Sequence, residues 1–197
     1  MRLFLVLTVF TLSGCEFYRE ASPEDISRAV YSSAEPASIT LISMVKNRDD
    51  RSAHSALLIN GSQQVLYDPA GTFQHPDLPR SGDIHYGVTP RFLDYYEKYH
   101  ARFSHYVQSQ TVEVDQATAN RILANAQAKG KSPKMFCAVA VADVINSEDP
   151  FRGVNVTMFP EGLRRDFAEI PGVQDSFVYE YDEGQNRAWE TETAAVN

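Results

Sequence analysis

The chain has 197 residues, of which 43% are hydrophobic and 22% are charged, ordinary proportions for one soluble globular domain. A chain of this size buries about 70% of the surface that it exposes when unfolded, so its core needs no set of disulfides or structural metals. The formal net charge is -8 and the sequence has no basic run, which argues against a protein that follows a nucleic-acid backbone.

The first fifteen residues have the pattern of an export signal. Met1-Arg2 is basic, and residues 3–12 (LFLVLTVFTL) are continuously apolar. As a helix this run would be about 15 Å long, half of the roughly 30 Å of hydrocarbon in a bilayer, which favours a cleaved signal over a stable span. Leu12-Ser13-Gly14-Cys15 resembles the lipobox of bacterial lipoproteins, whereas an N-terminal helix with a buried cysteine fits the pattern less closely.

The lipobox resemblance implies a location and a membrane partner. Residues 1–14 would be the signal peptide, and Cys15 would carry several acyl chains, palmitate among them, that hold the protein to a membrane. Glu16 stands where many such lipoproteins have an aspartate that retains them at the inner membrane, so the implied location is the periplasmic face of the outer membrane. Cys137 is then an unpaired thiol in an oxidising compartment, where paired cysteines are usual.

The first half of the remaining chain predicts a tether followed by strands. Residues 15–38 are polar and predict a tether with at most a short helix after Ser22-Pro23. Residues 39–45, 53–59 and 64–67 predict strands, the last two forming a hairpin around Asn60-Gly61. Both hairpin strands are apolar on both faces, which is typical of interior strands.

A long segment and a helix follow the hairpin. Residues 68–88 are rich in Pro, Gly and Asp and predict a binding loop or a lid. Thr89-Pro90 predicts a helix start, and aromatic residues at helical spacing follow it. These side chains favour core packing, with a substrate groove as the alternative; they are Phe92, Tyr96, Tyr99 and Phe103.

The second half of the chain predicts alternating strands and helices. An apolar helix is predicted over 135–145, and because Pro133 breaks the chain just before it, Cys137 falls in or near the first turn. The other predictions are a strand over 106–114, a helix capped by Asp115 that ends at Gly130, a helix from Pro160 to about Ile170, a strand over 177–181 and an acidic tail over 182–197.

Cys137 and His54 are candidates for nucleophilic chemistry. A thiol attacks a carbonyl carbon only as the thiolate, and a helix start together with an imidazolium lowers a thiol pKa to roughly 3.5–7.5. His54 begins a short apolar strand, where a structural histidine bonded to a carbonyl is the alternative interpretation. Asp68 reaches it if the loop at Asn60-Gly61 makes an even register with a bulge, whereas a strict two-residue turn would present Tyr67. Asp68-Pro69 is otherwise a turn initiator.

These residues resemble the circularly permuted branch of the NlpC superfamily of papain-like cysteine hydrolases, which includes YiiX/YaeF-type proteins and lecithin-retinol acyltransferase. The resemblance covers residues 39–145 and rests on residues 54–59 (HSALLI), 67–71 (YDPAG) and 136–141 (FCAVAV). It implies an α+β, papain-like fold over 39–181, with a small antiparallel sheet packed against helices and the histidine strand before the cysteine helix.

The resemblance also implies the roles of the residues. Cys137 would be the nucleophile, His54 the base and Asp68 the third residue, with His75 or His85 as alternatives because many relatives have His or Glu there. The implied reaction is attack on an amide or ester of an envelope peptide or lipid, through a thioester, followed by hydrolysis or acyl transfer. The alternative is a catalytically inactive lipoprotein that binds such a peptide or lipid, with Cys137 as a small buried hydrophobe.

Other catalytic classes have weaker support in the sequence. The spacings of His75, His85, His100 and His105 are irregular and no H-E-x-x-H motif is present, so neither a metal nor another cofactor is expected. A G-x-S-x-G serine elbow is absent as well. The substrate, the second oxyanion donor and the oligomeric state stay open at this point.

Overall fold

The structure, a computed structural model, describes residues 20–180. The predicted signal peptide 1–14, the predicted lipidation site Cys15 and the predicted tail 182–197 lie outside the described residues. The described chain is a mixed α+β protein with one seven-stranded antiparallel sheet and five α-helices. The predicted α+β class and antiparallel sheet are therefore confirmed.

The strands form a single sheet in which every neighbouring pair is antiparallel. In chain order they are β1 (Ser38–Lys46), β2 (Arg51–Asn60), β3 (Gln64–Tyr67), β4 (Arg80–Ser81), β5 (Ile84–Tyr86), β6 (His105–Glu113) and β7 (Gln174–Val178). Their order across the sheet is β4-β5-β3-β2-β1-β6-β7, which places β2 and β1 in the interior.

Most of the helix starts follow from local capping signals in the sequence. The side chains of Ser22, Thr89 and Asp115 each accept a hydrogen bond from a backbone N–H of the first turn that follows. The helices are α1 (Pro23–Arg28), α2 (Pro90–His100), α3 (Gln116–Lys129), α4 (Cys137–Ile145) and α5 (Pro160–Ala168), with a 3₁₀ turn at Phe151–Gly153.

Successive side chains of a strand point to opposite sides, and in β1, β3 and most of β2 both sets are buried, so the centre of the sheet is covered on both faces. Leu57 and Ile59 of β2 pack with α3, α4 and α5 in one cluster, which we call the α4 core. Ala56 and Leu58 pack on the other face, under Tyr96 of α2, in a second cluster that we call the α2 core. A central strand that is apolar on both faces therefore holds the two cores together.

The β2–β3 register decides which side chains share a face with His54. Leu57 pairs with Tyr67 and Asn60 pairs with Gln64, so the turn contains three residues, 61–63. This register is even, and it places Asp68 on the same face as His54. On the other side of β2, a β-bulge interrupts the pairing with β1 and leaves Ala53 unpaired directly before His54.

Several predicted bounds are wrong. The predicted loop 68–88 contains β4 and β5, which extend the sheet beyond β3. The last strand is Gln174–Val178 rather than 177–181, and position 181 lies outside the described residues. The aromatic stripe is shorter than predicted because α2 ends at His100, which leaves Phe103 exposed outside the helix.

The prediction of a tether over 15–38 is wrong for its described part. The Tyr31 carbonyl accepts a hydrogen bond from the Gln64 N–H, and the Asn60 side chain donates to the Pro36 carbonyl. Near its start, the Ala21 N–H donates to the Arg80 carbonyl. Polar composition predicted a free segment, but here the polar groups bond to the domain.

Candidate active site

The candidate site lies where β3 ends and β2 continues. Because β3 stops at Tyr67, opposite Leu57, the first six residues of β2 have no strand partner on that side. The start of α4 occupies this position, with Cys137 as the first residue of the helix. The structure thus brings together Cys137 at a helix start, His54 in a strand and Asp68 directly after a strand.

His54 and Asp68 form a short, partly buried ion pair. The His54 Nε2 atom lies 2.6 Å from Asp68 Oδ1; the Asp68 side chain is 0% exposed and the His54 side chain 21% exposed. Burial alone would lower the pKa of His54, but the charge and hydrogen bond of Asp68, with a smaller contribution from Cys137, raise it to about 10. Burial would raise the pKa of Asp68, yet the positive charge of His54 holds it at about 2.

Cys137 lies on the other side of the same imidazole. Its side chain is hydrogen bonded to His54, and because Nε2 is bound to Asp68, Nδ1 is the nitrogen that faces the sulfur. Burial favours the neutral thiol, but the hydrogen bond and charge of His54 and the backbone N–H groups of Ser55 and Ala138 lower the pKa of Cys137 below its usual value. These contacts favour the thiolate of Cys137 and the imidazolium of His54 over the neutral pair.

The turn before α4 contains a strained residue, Met135, two positions before the cysteine. Met135 has a φ of 72°, in the left-handed region that non-glycine residues rarely adopt. Phe136, at the N-cap position, makes no side-chain capping bond. The first N–H groups of α4 are therefore not capped by a side chain, and an uncapped helix start favours a nearby anion.

Asp68 is held in place by the groups behind it. Gly71 follows it in a tight turn, where the Gly71 N–H donates to the Asp68 carbonyl. A Cβ at Gly71 would lie 2.0 Å from Asp68 Oδ2, so only glycine fits over the carboxylate. The fully buried Tyr96 hydroxyl faces the same carboxylate; neither it nor Oδ2 has a hydrogen bond of ordinary length, so this pair is a polar contact only.

The alternative third residues do not occupy the position next to His54. His85 is fully buried against Phe73, with ring centroids 5.4 Å apart, and burial lowers its pKa to about 4. The His75 Nδ1 atom accepts a hydrogen bond from the Asp77 N–H. Since Nε2 of His54 is bound to Asp68, neither His75 nor His85 takes that role in this structure.

The other histidines do not build a metal site. The His100 ring lies beside Tyr96, with its Nδ1 2.9 Å from the Tyr96 carbonyl oxygen, and burial lowers its pKa to about 4. His105 lies on β6 and its Nδ1 is 2.8 Å from the Ser104 hydroxyl. Over residues 20–180, no group of three or more His, Cys, Asp or Glu side chains is arranged to hold a metal ion.

The chain was compared with protein families, curated proteins and solved structures. No family model, no curated protein and no solved structure matches the chain. Within the described part of the chain, no helix combines the length and the apolar character needed to cross a bilayer.

Sequence reasoning missed three groups at the site. The helical spacing of Tyr96 predicts core packing, and its only sign of another role is a hydroxyl where Phe would pack equally well. Gly71 lies in the YDPAG motif of residues 67–71, but its role can be recognised only once the position of the Asp68 side chain is known. The Ser55 N–H carries no sequence signal at all, because a backbone donor becomes available only where a neighbouring strand stops.

Proposed function

We propose that this protein is a cysteine hydrolase or acyltransferase that cleaves amide or ester bonds through a thioester on Cys137. The observation that carries the proposal is a single imidazole placed between a sulfur with a lowered pKa and a buried carboxylate. A structural histidine needs one polar partner, whereas this ring has an acceptor on one nitrogen and a thiol on the other.

The reaction has two halves that the same residues serve. The Cys137 thiolate attacks the carbonyl carbon, and the proton on His54 Nδ1 passes to the leaving amine or alcohol, which produces a thioester and a neutral imidazole. His54 then takes a proton from water or an acceptor hydroxyl as that oxygen attacks the thioester, and the released thiolate restores the ion pair. The Cys137 N–H, at the first position of α4, is a candidate donor to the oxyanion.

The papain-like, circularly permuted fold is part of this proposal. Its support is that Cys137, the first residue of the buried helix α4, packs against β2, which bears His54. Asp68 directly follows β3, the strand that pairs with β2. The histidine precedes the cysteine in the chain, which is the order of the permuted branch that the sequence resembles.

We propose that the enzyme acts at the bacterial cell envelope. The support is the lipobox-like Leu12-Ser13-Gly14-Cys15 and Glu16, which imply a lipid anchor at the periplasmic face of the outer membrane. Envelope peptides and lipid-linked acyl groups are the substrate classes available there.

Alkylation of Cys137 tests the ionised sulfur directly. In a Cys15→Ser chain Cys137 is the only thiol, so iodoacetamide reports on it alone. Because the pKa of Cys137 is lowered below its usual value, the rate at pH 6 should exceed that of an ordinary free thiol. In His54→Ala the thiolate should form only near the ordinary thiol pKa of about 8.5, so the rate at pH 6 should fall at least tenfold.

His105→Ala is the matched control, because His105 lies outside the site. Formation of the thioester is tested by incubation with p-nitrophenyl esters, which should add one acyl group to Cys137 by intact mass and release p-nitrophenol. Slow alkylation at pH 6 in the folded chain, with no acyl adduct, would contradict the enzyme and favour the binding module, in which Cys137 is a buried hydrophobe.

A further inference from the structure

We propose that the end of the sheet that holds Cys137 binds an anionic phospholipid bilayer through the domain's own side chains. This end, which we call the site end, contains the ends of β1, β3 and β7, the starts of β2, β5 and β6, and the starts of α4 and α5. The binding surface does not depend on catalysis by Cys137, although under the proposed function it would place the site next to envelope lipid.

Exposed apolar side chains directly precede the candidate nucleophile. Met135 is 80% exposed and Phe136 is also exposed, immediately before Cys137. The position of this segment is fixed by the Ser132 N–H, which donates to Asp83 beside the end of β3. Two large apolar side chains are therefore presented to solvent at the mouth of the site.

A second apolar pair lies at the start of α5. Phe159 is 70% exposed and Met158 precedes it, also exposed. Glu161, in the first turn of α5, accepts a hydrogen bond from the Ser52 N–H at 2.9 Å, close to the start of β2. This bond places the pair at the same end of the sheet as Met135.

Aromatic side chains continue this surface across β6 and β7. Phe177 and Tyr179 are exposed, and Tyr179 stacks on Tyr106 with ring centroids 5.1 Å apart. Phe103, 66% exposed, lies beside the β1–β2 hairpin, where its carbonyl accepts from the Asn47 side chain. From β3 to β7 the surface spans four strand spacings, about 19 Å. Seven of the nine large apolar side chains that are exposed within residues 20–180 lie at this end, a concentration that favours an interaction surface.

Basic side chains among the apolar ones favour a bilayer over a protein partner. The chain as a whole carries a net charge of -8, but the β1–β2 hairpin has Lys46, Arg48 and Arg51 against Asp49 and Asp50, a local excess of one positive charge, with Arg48 paired to Asp49. Lys134 adjoins Met135 on the other side of the site. Basic residues beside exposed Phe, Met and Tyr are the pattern of proteins that lie in the interface of anionic membranes.

The course of the chain supplies an independent argument. Glu20, the first described residue, accepts from the Gly82 N–H at 2.8 Å and pairs with Lys131 Nζ at 2.6 Å, and Gly82 precedes β5 at the site end. Cys15 is five residues earlier, within about 18 Å of extended chain. A lipid anchor at Cys15 would therefore hold this end of the domain, and not the opposite one, against the bilayer.

Vesicle binding by a chain without its lipid anchor tests the proposal. The chain beginning at residue 15 with Cys15→Ser should cosediment with phosphatidylglycerol-containing vesicles, and less so in high salt, because the basic residues contribute. The double variant Met135→Asn, Phe159→Ser should bind at least tenfold more weakly. Both substitutions suit the local backbone, since Asn tolerates the left-handed region and Ser can cap α5.

Val30→Ser is the matched control, because Val30 is half exposed but adjoins Tyr31, which bonds to Gln64 at the opposite end of β2 and β3. It should leave binding unchanged. Absence of vesicle binding, or equal binding by the double variant, would overturn the proposal. It would also be overturned if only a chain truncated after Glu180 binds, since residues 181–197 would then cover this surface. Alkylation of Cys137 without vesicles separates this result from failure of the proposed function.

Discussion

The imidazole of His54 connects the two charges of the candidate site. Its Nε2 lies 2.6 Å from a carboxylate that is fully buried, and its other nitrogen faces the sulfur. Coulomb attraction is stronger in such a site than in water, which explains why the pKa of His54 is raised although burial opposes it. Since the charge of His54 in turn lowers the pKa of Cys137, we expect Asp68 to favour the thiolate through His54.

Gly71→Ala should disturb the site through Asp68 alone. The added Cβ would lie 2.0 Å from Asp68 Oδ2, so the carboxylate has to move away from its present position. We expect the alkylation rate of Cys137 at pH 6 to fall several-fold, and the free energy of unfolding to fall by about 1–3 kcal/mol, as for an overpacked core. Iodoacetamide kinetics and urea denaturation measure the two effects.

Gly153→Ala is the control for this substitution, because a Cβ there meets no atom within 4 Å. It should leave both quantities close to those of the unsubstituted chain. Equal alkylation rates for Gly71→Ala and Gly153→Ala would show that the position of Asp68 does not affect the sulfur.

The residues that could be predicted are those whose chemistry is visible in the sequence. Cys137 is singled out because it begins an apolar helix, and His54 because it interrupts an apolar strand. Tyr96, which lies behind Asp68, could not be found in this way. A tyrosine at helical spacing predicts core packing whether or not its hydroxyl faces a carboxylate.

At the level of the elements, the site depends on where strands begin, bend and stop. The three-residue turn 61–63 gives the even register that puts Asp68 on the face of His54. The sequence left this register open, because Asn60-Gly61 is equally compatible with a two-residue turn. The bulge at Ala53 had no sequence signal, and it was not predicted.

Glu161 couples α5 to the strand that bears His54. Its carboxylate accepts from the Ser52 N–H and pairs with Arg164, and its side chain is 8% exposed. Glu161→Ala would leave a backbone donor and a largely buried guanidinium without this acceptor, so we expect the free energy of unfolding to fall by about 1–3 kcal/mol. Urea denaturation measures the change.

Glu169→Ala, at the exposed end of α5, is the control and should change the stability by less than about 0.5 kcal/mol. A Glu161→Ala variant as stable as Glu169→Ala would mean that Ser52 and Arg164 find water in place of the carboxylate. The attachment of α5 to β2 would then contribute little to stability.

On the scale of the whole molecule, both boundaries of the described chain lie at the site end. Glu20 is bound beside Gly82, and Tyr179 stacks on Tyr106 at the start of β6. The sequence predicted a free tether before the domain, but it could not show that residues 20–38 bond to the sheet, because their partners are distant in the chain.

Cys15→Ser should release the protein from the membrane if Cys15 carries the lipid. Several acyl chains bind a bilayer far more strongly than a domain surface does, so most of the protein should move from the membrane fraction to the soluble fraction. Cell fractionation with immunoblotting measures the distribution. Ser13→Ala, which keeps a small residue before the cysteine, should stay with the membrane, and an unchanged distribution of Cys15→Ser would remove the lipid anchor from the proposal.

The site takes its groups from both sides of the sheet. Cys137 begins a helix of the α4 core, whereas Asp68 lies under Tyr96 of the α2 core. A partly folded chain that has assembled only one of these layers would keep an ordinary thiol. Rapid modification of Cys137 in mildly acidic buffer would therefore serve as a readout of complete folding, and short pulses of the reagent at successive refolding times would report the fraction of chains that have assembled both layers.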